Sequence, residues 1–295
     1  MRRPLHPLLT VLVALLLLAF TGGPVFLTLV GSLVPDRVLL SPDRSILEEG
    51  LTLDNYRYIF TGELPASYQR ADANRAMISD AARQVPGALW NSTQIALASA
   101  LLNLIVGAPA AFVFARFGFP LKKPAFLFLI LSPLVPSIAL VTPIYMTIES
   151  IGLLGSKAGI VLVHATRALP FTVFILYVFF RRIPTEMFEA AIIDGCTRMQ
   201  MFLRIVVPLA LPSIAATGLF AFMLSYAEFM FSMILSGQAH SRPISVVMAA
   251  LARNTDVSWG LLNSAIFIAL VPTLALVALV WRFVVENMLS GAVKG

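Results

Sequence analysis

The sequence predicts an all-α polytopic membrane protein with six transmembrane helices and both termini cytoplasmic. Of its 295 residues, 59% are hydrophobic and 12% charged, with a mean hydropathy of +0.88, far too apolar for a soluble domain of this size. The apolar residues fall into runs near 8–34, 88–115, 124–148, 158–180, 209–235 and 259–285, each longer than the roughly 20 residues that cross a hydrocarbon core. The basic residues then orient the bundle. With the N-terminus inside, cytoplasmic segments carry Arg2, Arg3, Arg116, Lys122, Lys123, Arg181, Arg182, Arg198, Arg204, Arg282 and Lys294. The short outer loops carry only Lys157, Arg242 and Arg253.

The first run follows Met1-Arg2-Arg3, as a signal peptide would. It is long enough to span, however, and Thr21-Gly22-Gly23-Pro24 is a poor cleavage site, so it reads as an uncleaved first helix over 1–34. Residues 35–87 form the one long polar loop, with eight acids among six arginines. Its stretch Leu51–Phe60 reads either as a short amphipathic helix lying on the membrane or a partner, or as a solvated loop with surface aromatics. Residues 88–285 make a five-helix core, and 286–295 a short tail. Gly107, Pro109, Pro133, Pro136, Pro143, Pro170, Pro212 and Pro272 mark kinks, tolerable where neighbouring helices re-satisfy the backbone. The net charge of +6 is scattered over span ends and does not point to nucleic acid. The single Cys196 excludes a disulfide within the chain and a cysteine metal cluster.

Between the fourth and fifth runs, segment 184–208 breaks the apolar pattern with Glu186, Glu189, Asp194, Arg198 and Arg204. Thr185 is placed to cap a short helix with Glu186 in its first turn, and Gly195 to end it in the left-handed conformation. Thr197 and Gln200 have the spacing of a capping box, so a second helix follows at once. Helical periodicity puts Phe188, Ala191 and Ile192 on one face and Glu186, Glu189 and Ile193 on another. The product is a tight elbow, a rigid peg on the cytoplasmic side suited to transmitting a push.

The order Glu189-Ala190-Ala191, then Gly195, then Ile205 and Pro208 resembles the EAA loop of binding-protein-dependent ABC importer permeases. The family's usual I-x-L-P ending reads Ile205-Val206-Val207-Pro208 here. Leu89-Trp90-Asn91-Ser92 resembles the opening of that family's transmembrane core, and Leu53-Asp54-Asn55-Tyr56 a stretch familiar in sugar-importer permeases. Tyr226-Ala227-Glu228-Phe229 stands where carbohydrate-type members often have Trp-Asn-Glu-Phe, with Ala227 in place of the asparagine. The tail Ser290-Gly291-Ala292-Val293-Lys294-Gly295 is similar to that of maltose-type permeases. Together these features resemble a carbohydrate-type, maltose-permease-like member of the MetI-like fold.

The resemblance implies a permease subunit of an ATP-driven importer in the bacterial cytoplasmic (inner) membrane. It would move a sugar or sugar derivative, delivered by a periplasmic or lipid-anchored solute-binding protein, by alternating access. The implied partners are an ABC ATPase dimer, a homologous second permease and membrane lipid. Coupling to the ATPase would rest on Glu186, Glu189, Ala190, Ala191, Asp194, Gly195, Ile205 and Pro208, and the tail residues Gly291, Ala292, Val293 and Lys294 would reach the ATPase interface. There is no Walker A glycine loop, so no cofactor is expected in this chain, and ATP and Mg would sit in the partner ATPase. Neither HExxH nor GxSxG is present, so no enzyme and no catalytic residue is expected. A different polar or anionic cargo (a sugar phosphate, a sulfonate, a polyol) stays open. A secondary transporter would show internal repeats and no EAA loop.

Inside the membrane His164, Arg167 and Glu228 stand out. His164 and Arg167, three apart, share a helix face. An arginine at mid-membrane costs about 2.5–3.5 kcal/mol on insertion scales, so Arg167 needs a partner or a watery cavity. Two readings stay open: a buried pair with Glu228 that locks the fourth and fifth spans, or a residue bordering the translocation path. His164 has no second His or Cys at ligand spacing, so no metal site is expected. Tyr226, Phe229 and Met230, part of a helical stripe with Met223 and Met233, are either core or candidate path residues.

Overall fold

The computed structural model describes residues 7–39, 50–63, 80–237, 240–253 and 258–292, and all regular structure among them is helical. The principal helices are α1 (Pro7–Leu33), α2 (Asp54–Thr61), α3 (Val85–Arg116), α4 (Lys122–Leu131), α5 (Val141–Ser150) and α6 (Lys157–Phe180). They continue with α7 (Thr185–Ile193), α8 (Arg198–Met201), α9 (Leu211–Tyr226), α10 (Met230–Leu235), α11 (Ile244–Arg253) and α12 (Trp259–Ala292). By length and composition α1, α3, α6 and α12 are each long and apolar enough to cross a membrane, and two bent helix pairs supply up to two more spans. The chain divides into two compact units, Met1–Leu89 with Val247–Val271, and Trp90–Val246 with Pro272–Gly295.

In the first unit, α1 turns most of its large apolar side chains outward, as a helix solvated by lipid does. Its last turn is fastened from the polar loop. The Ser32 carbonyl accepts from Asn55 Nδ2 at 3.1 Å and from Ser264 Oγ at 3.1 Å, while Ser32 Oγ and Tyr56 Oη lie 2.6 Å apart. The Leu-Asp-Asn-Tyr stretch is therefore a helix start whose side chains cap another helix, rather than a solvated loop. Gly62, at φ +73°, ends α2 in the left-handed conformation that glycine adopts without strain.

The second unit holds the bent spans. The third run expected from sequence is not one straight helix. Ser132-Pro133 and Val135-Pro136 lie between α4 and α5, and the two halves meet at 100°. Proline lacks the N–H that would continue the ladder and pushes the residue before it out of the α region, as Val135 shows at ψ 123°. The fifth run is also interrupted: α9 stops at Tyr226 and α10 restarts at Met230. The sixth continues past residue 285 without a break, as far as Ala292.

Helices α3 and α6 approach closely because Gly107 presents no side chain. A Cβ built there would lie 2.7 Å from Thr172 Cγ2. Small residues at Ala96, Ala100, Ala168 and Ala221 let α3, α6 and α9 meet around Phe222. Gly107→Ala should therefore lower the unfolding temperature of the solubilised protein, overpacking costing about 1–3 kcal/mol. Thr172→Ser in the same background removes the obstructing methyl and should restore the temperature. Equal stability of Gly107→Ala and parent would show that the two helices separate freely.

Candidate functional site

Two places in the second unit concentrate polar chemistry. The first is the break in the fifth span. Ending α9 at Tyr226 leaves the first N–H groups of α10 without intrahelical partners, and in an apolar surrounding these must be satisfied. Glu228 does this from within the break: Phe231 N–H donates to Oε1 at 3.1 Å and Ser232 N–H to Oε2 at 3.0 Å. The same carboxylate receives Arg167 Nη1 at 3.2 Å and His164 Nε2 at 3.1 Å, both projecting from α6. A carboxylate only accepts, so Nε2 of His164 is the donor in that contact, and Nδ1 meets Ser225 Oγ at 2.8 Å. Arg167 is completed by Ser137 Oγ at 2.7 Å and by the Phe231 ring, 4.9 Å from its guanidinium carbon. Ser245 Oγ donates to the Glu228 carbonyl at 2.9 Å.

His164 is 1% exposed, Glu228 10% and Arg167 37%. The guanidinium thus lies at the edge of the cluster, with the carboxylate and imidazole behind it. His164, Arg167, Ser225 and Glu228 help line a cavity of about 80 Å³. Arg167 also borders a larger, mostly apolar groove of about 710 Å³ dotted with the hydroxyls of Ser132, Ser137, Thr147 and Thr166. The other candidate path residues are not gathered here. Tyr226 stacks on Phe222 at 5.5 Å, Phe229 is exposed, and Met230 packs on the cluster that contains Phe231.

The second place is the elbow. Helix α7 begins at Thr185, with Pro184 in the capping position, so Thr185 is the first helical residue and not the cap expected of it. Gly195 sits at φ +75°, and Cys196 N–H reaches back to the Ala191 carbonyl at 2.9 Å, closing the helix end. The capping box is present: Gln200 N–H donates to Thr197 Oγ1 at 3.3 Å and Thr197 N–H to Gln200 Oε1 at 2.8 Å. Next come a π-helical stretch at Phe202–Val206 and the turn Val207–Leu209, and the chain bends by 82° into α9. Pro208 and Pro212, each lacking an N–H, flank that bend.

Phe188 and Ala191 face inward on a core with Phe112, Phe180 and Phe202. Ile192, grouped with them by periodicity, is instead exposed; a stripe two residues wide suffices for so short a helix. Glu186, Glu189, Ala190 and Asp194 all face outward, beside Met187 and Ile193. Of the remaining elbow residues, Ile205 is half-buried and Pro208 exposed. Gly291 and Ala292 lie on the last turn of α12, and Val293 and Lys294 fall outside the described residues.

Residues 103–288 match the family described as the inner membrane component of binding-protein-dependent transport systems. The chain belongs to that family. The permease is 30% identical over 255 residues to the trehalose transport system permease protein SugB of Mycobacterium tuberculosis, covering 86% of each chain. It is 30% identical over 206 residues to the diacetylchitobiose uptake system permease protein NgcG of Streptomyces coelicolor, covering 69% of this chain and 68% of that one. Its fold is similar, at a TM-score of 0.70 and 16% identity, to a chain of a bacterial ABC transporter involved in the import of the acidic polysaccharide alginate; 95% and 99% of the two chains superpose. The protein is a multi-pass transporter permease of MetI-like fold.

Sequence reasoning missed the hydroxyl residues of the permease's cluster, Ser137, Ser225 and Ser232. Nothing in the sequence marked them, since a hydroxyl within an apolar run is compatible with a helix that simply bonds its own backbone. It also passed over Asn91 and Ser92 as anchors. Asn91 Nδ2 donates to the Arg242 carbonyl at 3.0 Å, and Ser92 Oγ accepts the Ile244 N–H at 2.7 Å, so the opening of the core ties down the start of α11.

Proposed function

We propose that this permease is one of two homologous membrane subunits of a bacterial inner-membrane importer. It passes a sugar or sugar derivative delivered by a solute-binding protein, and the driving force comes from a separate ATPase dimer that holds ATP and Mg. The observation that carries the reading is the elbow. Its inner face is locked into the bundle by Phe188, Ala191 and Phe202, while its outer face offers apolar and acidic side chains to a partner. Both termini and the elbow lie on the cytoplasmic side, in keeping with the distribution of lysine and arginine over the short loops. Closure of the ATPase dimer then moves the elbow and the attached spans as a body between inward- and outward-facing states.

The trehalose and diacetylchitobiose permeases among its relatives favour an oligosaccharide cargo. The cluster at Glu228 favours a neutral one: Arg167 already has a carboxylate counter-charge and a hydroxyl partner, so its guanidinium is not left waiting for an anion. The test is purification of the native complex with its solute-binding protein, followed by reconstitution in nanodiscs. Hydrolysis stimulated by the binding protein with a neutral disaccharide is expected. A binding protein that selects an anionic or non-carbohydrate solute would overturn the cargo, and a stable complex with this permease as a homodimer would overturn the assembly.

A further inference from the structure

The last turn of α3 holds both arms of the elbow, and one arginine makes the connection. Phe112 stacks on Phe188 of the entering arm, ring centroids 6.2 Å apart and planes at 30°. It also meets Phe202 of the returning arm at 5.4 Å, and Phe117 edge-on at 5.3 Å. One helical turn further along the same face, Arg116 ends α3. Its Nη2 donates to the Phe180 carbonyl at 2.6 Å and to the Ile183 carbonyl. These oxygens belong to the last turn of α6 and to the link that enters α7, where a cation offsets the negative end of a helix. Its guanidinium carbon lies 4.3 Å from the centroid of Phe188.

A span end that only needed a snorkelling charge would send it to water. Arg116 is instead turned inward, half-buried, with Nε buried and without a hydrogen-bond partner among the described residues. Only Pro184 separates Ile183 from the first residue of α7, so the Ile183 carbonyl bond fixes the direction in which the chain enters the elbow. The ring beneath the guanidinium fixes how α7 is rolled about its axis. One side chain therefore sets the attitude of the peg against the ends of two core helices at once. We infer that Arg116 is a positioning residue for energy coupling: it makes the elbow, α3 and α6 move together when the ATPase moves the elbow. This rests on the elbow being the ATPase contact.

The test uses the complete complex in nanodiscs and reads three quantities: ATPase retained per permease, hydrolysis with and without loaded binding protein, and sugar moved per ATP. Arg116→Met should retain the ATPase but lower the stimulated-to-basal ratio at least about fivefold, the lower end of ordinary coupling between sites. Sugar moved per ATP should fall with it. Arg116→Lys should restore only part of the ratio, since it keeps the charge but not the planar fork that reaches both carbonyls and stacks on the ring. Arg116→Gln offers no charge and should not restore it.

Should Arg116→Met fail to assemble, Phe188→Leu supplies the second arm. It keeps Arg116 and both carbonyl bonds but takes away the aromatic face, and the ratio should again fall. A reduced yield with an unchanged ratio in the assembled fraction, for Arg116→Met or for Phe188→Leu, overturns the inference. Ile193→Asp, on the outward face of the elbow, separates it from the reading beneath. If Ile193→Asp loses the ATPase while Arg116→Met couples normally, only the role of Arg116 is wrong. If Ile193→Asp couples normally as well, the elbow itself is not the contact.

Discussion

Glu228→Met should nearly abolish recovery of the assembled transporter, whereas Arg167→Met should reduce it far less. The asymmetry follows from counting donors on the carboxylate. Glu228 serves His164, Arg167 and the N–H groups of Phe231 and Ser232, so its loss takes an acceptor from all four, and the two backbone N–H groups lose the side chain that caps them. A stranded buried donor costs about 1–3 kcal/mol, and removing one side of a buried ion pair about 3–5 kcal/mol. Arg167→Met leaves the carboxylate still bonded by three donors, and its own side chain was partly solvated.

Arg167→Met combined with Glu228→Met should not return to the parent level, because two backbone N–H groups still face an apolar side chain. Yield from mild detergent and sugar uptake in cells check this. Full recovery in the double variant would reduce the cluster to a simple ion pair. Normal yield with lost uptake in Arg167→Met would place that guanidinium on the translocation path.

The second large effect belongs to the turn of the elbow. Gly195 needs φ +75°, and a Cβ there would meet nothing within 4 Å, so any penalty is conformational rather than steric. A residue with a Cβ pays roughly 1–2 kcal/mol in the left-handed region, more if β-branched and less for asparagine. Gly195→Val should thus insert into the membrane yet lose ATPase on purification, while Gly195→Asn keeps most of it. Ile193→Asp, at a position 85% exposed, should give the same loss with no change in the permease's own stability. Retention of the ATPase by both Gly195→Val and Ile193→Asp would remove the elbow from the interface.

What the sequence disclosed and what it hid divide along a physical line. The elbow was legible because its turn is local: Thr197 and Gln200 are three apart, and the glycine that ends α7 sits where a helix must stop. His164 and Arg167 were legible as one face for the same reason. Glu228 stood out as their candidate partner because an acid near the middle of an apolar run is conspicuous. The serines that complete the cluster were not, since Ser225 and Ser232 reach His164 across 61 and 68 residues of chain and a hydroxyl in a membrane helix carries no signature of its own. The breaks were half legible. Prolines announced the bend in the third run, but the gap at 227–229 has none and exists because a side chain can cap it.

The π-helical stretch at Phe202–Val206 gives the elbow a local tolerance for chain length. Each of its hydrogen bonds encloses one residue more than an α turn does, so the stretch amounts to an α-helix with a single residue added. The wider turn absorbs that residue on the spot and leaves the segments on either side nearly in the register an unbroken α-helix would give them. Which side chains the peg turns inward, Phe188 and Ala191 among them, is thus insulated from one residue gained or lost in this stretch.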